Sequence, residues 1–529
     1  MPKLIWTGKD KVINHHHEVP FRVLDKKYNF TASAENSNNN RIIHGDNLEA
    51  LKSLLPEFEG KVKCIYIDPP YNTGNEGWVY NDNVNDEKIK RWLGQVVGKE
   101  GEDLSRHDKW LCMMYPRLKL LKKLLSDDGF IFISIDENEN GYLRVLLDEI
   151  FGSSNFVASF VWQKRQSPDS DEKFATNVHD DILCYAKRKT ENRLNRLPRT
   201  EEADARYNNP DNDSRGVWTS SDLTRREYRE HDFYPIVLPS GRSVTPAAGR
   251  SWSVPKESFE KLVLDNRIWF GANGDAMPRR KRFLTEVSEG IVPTTWWTSD
   301  LFGDNQSAKR EIRTIFFDQD DIFQTPKPTK LIQRILELAT NKNSIVLDSF
   351  AGSGTTAHSV LKLNLEDGGN RQFILIETMD YAETITAERV RRVMQGYGEE
   401  TKTVEGLGGA FDYYEIGDVI FDGEGNLNET IGVEEIRKYV AFTEKIPLED
   451  QVTVDNDKSP YLLGMIDGSA YFFVYEPNEI TNLNLEFLAS LNFKPQALVV
   501  YADNCLLSKD MLQKYNIIFK KIPRDITRF

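Results

Sequence analysis

Apolar residues fall into two recurring patterns along this chain. The first is a short unbroken apolar run that ends in an acid. Cys64-Ile65-Tyr66-Ile67 leads into Asp68, Ile345-Val346-Leu347 into Asp348, and residues 372–376 into Glu377. Such runs predict strands buried on both faces, as in a parallel sheet. Ile42-Ile43-His44 and residues 129–135 read the same way. The second pattern repeats every three to four residues and predicts helices over 111–125 and 355–363. A third helix follows Thr325-Pro326-Lys327-Pro328, with Leu331, Ile332, Ile335, Leu336 and Leu338 on or near one face. Proline costs nothing in a first helical turn. Strands alternate with helices, which predicts an α/β fold.

The alternation fails in four places. Residues 1–40 are irregular and polar, and 75–101 are polar with few core positions, as expected of a lid. Residues 190–315 lose the strand–helix rhythm. At about 400 the character changes again, and Gly406–Gly409 forms a glycine-rich break. Beyond it, strands are predicted near 471–475, 497–501 and 516–521, and helices near 432–444 and 507–514. The chain therefore divides into an N-terminal extension (1–40), a first half-domain (41–189), an insert (190–315), a second half-domain (316–400) and a small C-terminal α/β domain (401–529). At 529 residues it exceeds what a single core supports.

Composition narrows the classes. Hydrophobic residues are 39% and charged residues 28%, a soluble globular balance. No apolar run approaches the roughly 20 residues of a membrane helix, and the opening MPKLIWTGKDKV has no signal-peptide pattern. Four scattered cysteines without a CxxC pair predict a reducing cytoplasm and no zinc site. His15-His16-His17 is read as a solvent-exposed or packing segment and no metal is expected, because three adjacent side chains point different ways. The net charge is −14, but it is uneven. Residues 186–313 carry 23 Lys and Arg against 19 Asp and Glu, while 400–529 carry 12 against 22. The basic middle permits nucleic-acid binding, and the acidic end suggests a protein-facing role.

Two motifs carry chemistry. Asp68-Pro69-Pro70-Tyr71 closes a predicted strand. A carboxylate there can accept a hydrogen bond from an exocyclic amine, proline leaves the Pro69 carbonyl free to accept another, and Tyr71 offers a face for a planar ring. Phe350-Ala351-Gly352-Ser353-Gly354 joins a strand to a helix. Glycines let the backbone approach a ligand, and an acid at the next strand end, Glu377, can accept from ribose hydroxyls. The loop lacks the Gly-Lys-Ser/Thr of a P-loop, and GxGxxG fails beyond Gly352 and Gly354.

Together the motifs resemble the amino-group DNA methyltransferases, whose hallmarks are D/N/S-P-P-Y/F/W and FxGxG. The catalytic motif precedes the cofactor loop by about 280 residues, an order similar to the β-group, where a target-recognition region separates the two halves. The resemblance implies a permuted Rossmann-like S-adenosylmethionine methyltransferase fold. It implies catalysis by Asp68, Pro69, Pro70 and Tyr71, and cofactor binding by Asp348, Phe350, Ala351, Gly352, Gly354 and Glu377. Asp46, in Gly45-Asp46-Asn47, is assigned to the cofactor's adenine, and Lys327, in a motif X-like Lys-Pro, flanks the cofactor. Residues 177–187 look like motif VIII near the target base, with His179 either a base contact or a structural cap. In the insert, Arg225, Arg226, Arg279, Arg280, Lys281 and Arg282 are read as DNA contacts, and most of the interleaved tryptophans as core. Residues 217–223 and 266–271, with Trp6-Thr7-Gly8-Lys9, resemble the modification subunits of type III restriction–modification systems over about residues 1–420.

The expected activity is therefore S-adenosylmethionine-dependent methylation of adenine N6 in duplex DNA, with no metal. Expected partners are double-stranded DNA, a second copy in a homodimer, and a restriction, helicase or other phage-defence subunit, but no membrane. Cytosine-N4 methylation is the nearest alternative, and Asp at 68 counts against it. A non-catalytic DNA-specificity subunit and methylation of protein or RNA are the others. No nuclease or helicase pattern is present in this chain.

Overall fold

Continuous apolar runs build the centre of the molecule. The computed structural model describes residues 3–32, 39–73, 106–168, 173–199, 201–287, 290–320, 322–398, 403–453 and 459–524. The expected lid at 75–101 lies outside these. Two compact units are present, one formed by Met1–Asn195 with Thr294–Phe529 and the other by Arg196–Pro293.

The first unit is organised on one mixed sheet. Its strands are β1 (Arg22–Thr31), β2 (Arg41–His44), β3 (Val62–Ile67), β4 (Leu125–Ile135), β5 (Phe156–Gln163), β6 (His179–Ala186), β7 (Trp296–Trp297), β8 (Ile345–Asp348), β9 (Gln372–Glu377) and β10 (Ala410–Val419). The order across the sheet is β1-β10-β2-β9-β8-β3-β4-β6-β5-β7. From β10 to β4 every pairing is parallel. Here β3, β8 and β9 are nearly all buried, as continuous apolar runs require. Among the described residues, its helices of eight residues or more are α1 (Asn47–Phe58), α2 (Arg106–Leu124), α3 (Asn140–Leu147), α4 (Asn305–Ile315), α5 (Thr329–Ala339), α6 (Thr355–Asp367), α7 (Glu388–Gln395) and α8 (Val433–Thr443). All five apolar residues predicted for α5 are buried.

The pairing of β8 with β3 matters most. Val346 lies beside Cys64 and Leu347 beside Ile65, although some 280 residues separate them. After β8 the chain continues to β9 on one side, and after β3 to β4 on the other. Adjacent parallel strands whose connections diverge leave a crevice outside their carboxyl ends.

Three boundaries differ from those read in the sequence. Residues 22–31, taken with an irregular extension, form β1 and pair antiparallel with β10. Residues 294–315 belong to the first unit, because β7 pairs with β5. Residues 410–419 are a strand of the large sheet, flanked by β1 and β2. Beyond β10, a four-stranded sheet follows: β11 (Leu462–Ile466), β12 (Ser469–Phe473), β13 (Ala497–Ala502) and β14 (Ile517–Lys521).

The second unit is built around a three-stranded sheet ordered Ile268–Trp269, Arg279–Phe283, Trp218–Asp222. Trp218 and Trp252 are buried, in keeping with their reading as core. No helix among the described residues is long and apolar enough to cross a membrane.

Candidate active site

A cleft of about 180 Å³ opens in the first unit where β3 and β8 end. The catalytic turn supplies Asp68, Pro69, Pro70 and Tyr71 to its wall, and the glycine loop supplies Asp348, Phe350, Ala351 and Gly352. Lys327 lines it too. Of the residues assigned to catalysis or cofactor from the sequence, only Asp46, Gly354 and Glu377 do not.

The turn after β3 is rigidly held. The Trp110 indole N–H donates to the Pro70 carbonyl at 2.7 Å. Asn72, with φ +58°, is buried and donates through Nδ2 to Glu139 Oε1, which also pairs with His107 Nδ1 at 2.7 Å. The Tyr71 hydroxyl reaches two acceptors, Asp68 Oδ1 at 2.9 Å and Asp180 Oδ2 at 3.3 Å. Burial, reinforced by those carboxylates, pushes the phenol well above its ordinary value.

Acids cluster at this end of the sheet. Asp68, Asp136, Asp180 and Asp348 all line the cleft, one from the end of each of four strands. Burial pushes Asp136 up to about 6 and Asp348 up to about 7. Burial also raises Asp180, and Lys164, 2.8 Å away, reverses this only in part. Asp348 accepts from the Phe350 N–H at 3.1 Å and from the Thr356 hydroxyl. Lys327 does not stand apart on the cofactor side. Its ammonium is ion-paired with Asp68 and lies 5.0 Å from the Tyr71 ring centroid.

The glycine loop is braced from behind. Gly352 and Gly354 have φ of +52° and +77°. A Cβ on Gly354 would sit 2.9 Å from the Thr386 carbonyl oxygen, so this position requires glycine. Glu377 is buried and accepts from the Gly352 N–H at 2.7 Å and the Met379 N–H at 3.0 Å, so its carboxylate fixes the loop. Asp46 is the N-cap of α1 and accepts from the Leu48 and Glu49 N–H groups. Beneath the loop, fully buried Arg389 donates to Ser353 Oγ at 3.0 Å and Thr355 Oγ1 at 2.7 Å. Its other nitrogen reaches Glu311 and Thr329, both at 3.2 Å.

Sequence reasoning missed Asp136, Lys164 and Arg389. Asp136 carries the same signal as Asp68, an acid just beyond a buried apolar run, and Asp180 stands beside His179 in the motif VIII-like stretch. The His179 backbone N–H donates to Asn177 Oδ1 as β6 begins, and His179 does not line the cleft. The histidine run forms a short helix with His16 buried, and no metal-binding cluster occurs among the described residues.

The second unit corrects one assignment. Lys281, read as a DNA contact, has no exposed side-chain surface and is ion-paired with Asp211 and Asp213. Strand alternation turns it and Phe283 inward. Arg226, Arg279, Arg280 and Arg282 are exposed. Arg279 donates to Ser220 Oγ at 2.8 Å, and half-buried Arg225 donates to the Ser253 carbonyl at 2.6 Å.

The sequence profile described as DNA methylase matches residues 62–388, more than half of the chain. The chain belongs to this DNA methylase family. Within it, the chain is similar to the Mod subunit of the type III restriction–modification enzyme StyLTI from Salmonella typhimurium. Identity is 38% over 389 residues, covering 71% of this chain and 58% of that one. The EcoP15I Mod subunit of Escherichia coli is 30% identical, with coverages of 71% and 64%. The type II methyltransferase M.KpnI of Klebsiella pneumoniae is 30% identical, with coverages of 65% and 81%. This methylase chain thus spans about three fifths of the length of the Mod subunits it matches. Among solved structures, a putative DNA modification methylase of Thermus thermophilus aligns at 15% identity with a TM-score of 0.30, covering 66% of this chain and 94% of that one.

Proposed function

We propose that this chain transfers a methyl group from S-adenosylmethionine to N6 of adenine in duplex DNA, as the modification subunit of a type III-like restriction–modification or related defence system. The observation that supports this reading is the single cleft into which β3 delivers Asp68–Tyr71 and β8 delivers Asp348–Gly352. Each motif serves half of one transfer, and the sheet order brings them side by side.

The residues present fit such a cofactor. Gly352, at φ +52°, presents backbone without a side chain, and Phe350 and Ala351 give the wall an apolar surface. When bound, the cofactor supplies a methyl group already activated for displacement. The chain's own residues do the rest by positioning. The target adenine leaves the helix stack and rests against Tyr71. Asp68 and the Pro69 carbonyl accept its two amine hydrogens and turn the nitrogen lone pair toward the methyl carbon. The amine nitrogen would accept the methyl group that the bound cofactor would supply, and its extra proton would pass to a carboxylate of the cleft or to water. Alignment and a fixed negative field carry the rate. Asp at position 68 favours adenine N6 over cytosine N4.

Exposed arginines of the second unit supply phosphate contacts in this reading, and residues beyond β10 supply the surface for a second copy or a nuclease partner. The four free cysteines fit a reducing cytoplasm. A single-molecule methylome of cells expressing wild type or Asp68→Ala tests the proposal. N6-methyladenine at one motif with wild type, lost in the variant, is expected. Methylation that persists in Asp68→Ala would falsify it.

A further inference from the structure

Lys327 makes one contact that the proposed reaction reserves for the target amine, with Asp68, and one that it reserves for the target ring, with Tyr71. Its ammonium pairs with the Asp68 carboxylate and lies 5.0 Å from the centroid of the Tyr71 ring. Its main chain is held from the other side, because Thr355 Oγ1 at the start of α6 donates to the Lys327 carbonyl at 3.2 Å. The residue therefore spans the glycine-loop helix and the catalytic turn.

Charge explains why a cation sits there. Asp68, Asp136, Asp180 and Asp348 line the cleft, and its cationic lining residues are Lys164 and Lys327. Lys164 is committed to Asp180 at 2.8 Å. Among the described residues, Lys327 is the cation paired with Asp68. A carboxylate at the end of a buried strand, facing other acids, is costly without a partner.

We propose that Lys327 is the group that the target amine must displace. It occupies the target-amine position in the free enzyme, and only a base bearing an exocyclic amine can displace it. The inference rests on the N6-transfer reading. An adenine amine replaces both contacts: its N–H groups donate to Asp68 and its ring covers Tyr71. That nitrogen gains positive charge during transfer, as the ammonium carried it before. Hypoxanthine presents a carbonyl at the same place. It offers an acceptor to an acceptor, so displacing Lys327 would leave the half-buried Asp68 carboxylate facing a second oxygen. A site that must hydrogen-bond an N–H rejects the analogue lacking it far more strongly than an apolar pocket rejects a change of size.

The test uses the full chain and duplex DNA carrying its recognition sequence, with adenine or hypoxanthine at the target position and S-adenosylhomocysteine present. Dissociation constants are measured for wild type, Lys327→Met and Lys327→Gln. Wild type is expected to prefer adenine by at least about tenfold. Both variants should bind the adenine duplex at least about threefold more tightly than wild type, because no ammonium is left to displace, and should keep or widen the preference over hypoxanthine, with the dissociation constant for S-adenosylmethionine unchanged within about threefold. Variants that bind the adenine duplex no more tightly than wild type overturn the proposal. So do variants that lose cofactor binding by more than about tenfold, which would return Lys327 to the cofactor, or that lose DNA binding altogether. A wild type without the preference overturns it as well. Failure of the reaction itself is read separately, as absence of N6-methyladenine in wild-type product.

Discussion

Replacing Arg389 by methionine isolates the support beneath the glycine loop. Arg389 has no exposed surface and spends one terminal nitrogen on Ser353 and Thr355, the other on Glu311 and Thr329. Methionine keeps most of the volume, so packing loss alone is worth less than about 1.5 kcal/mol. The larger effect is electrostatic. Burial alone would raise the Glu311 carboxyl, yet Arg389 and its other partners hold it below its ordinary value, so it is an anion at neutral pH. Removing one member of a buried pair costs about 3–5 kcal/mol. Glu311 keeps 28% side-chain exposure, so water relieves part of this and the lower end, about 3 kcal/mol, is expected. Adding Glu311→Gln removes the stranded charge and should recover about half of the loss.

Urea denaturation of the wild type, both single variants and the double variant reads these values. The sign with pH is also fixed. A carboxylate with a depressed folded pKa contributes stability above its unfolded value and loses it as pH falls through the folded one. The gap between wild type and Arg389→Met should therefore narrow below about pH 4.5. Because Ser353 and Thr355 lose a donor, the cofactor dissociation constant should rise about tenfold in Arg389→Met. A single variant within about 1 kcal/mol of wild type, or no more stable once Glu311→Gln is added, would refute the electrostatic account.

Other outcomes follow from the same structure. Lys281→Met should destabilise the second unit by about 3 kcal/mol, because Asp211 and Asp213 lose their buried cation. Arg280→Ala and Arg282→Ala should leave melting unchanged while each lowers the salt dependence of DNA binding by about one unit of log–log slope, measured by filter binding. Gly354→Ala should abolish cofactor binding in titration calorimetry and cost about 1–3 kcal/mol, given φ +77° and the 2.9 Å approach to Thr386. Burial lowers His358 to about 3 and His16 to about 4. Both stay neutral when folded, so stability should fall as pH drops below 6.5, by up to about 1.4 kcal/mol per pH unit for each, and His358→Gln should remove half of that slope.

What the sequence could reveal here depended on where each strand sits. At β3, β8 and β9 the helices cover both sheet faces, so every position is apolar and the acid that ends the run stands out. That is why Asp68 and Asp348 were legible, and Asp136, placed in the same way, carries the same signal. β1 and β10 left no such trace. β1 is an edge strand whose pattern Arg22–Thr31 is half-buried at most, and β10 interrupts its apolar residues with Asp412, Glu415 and Asp418. Each makes sense only with its partner, nearly 400 residues away. Lys281 failed for the opposite reason. Four consecutive basic residues look like one patch, but a strand turns alternate side chains to opposite faces, and the acids that claim Lys281 lie 68 and 70 residues earlier.

The same topology changes where the acidic end can be cut. In the sequence, removal of everything after residue 405 reads as a clean test of partner docking, since a glycine-rich break follows. β10 begins at Ala410, lies between β1 and β2 in the large sheet, and buries Phe411 and Tyr413. A cut at 405 deletes a sheet strand and strips β1 of its neighbour, so loss of partner binding there would report unfolding. A cut after Gly423 keeps all ten strands. It still uncovers Phe21 and Val23, which pack on the cluster around Ile436 and Phe473, so some loss of stability is expected. If that shorter chain methylates DNA but no longer co-purifies with a nuclease partner, docking belongs to residues beyond 423. If it retains the partner, the acidic end does not form the dock.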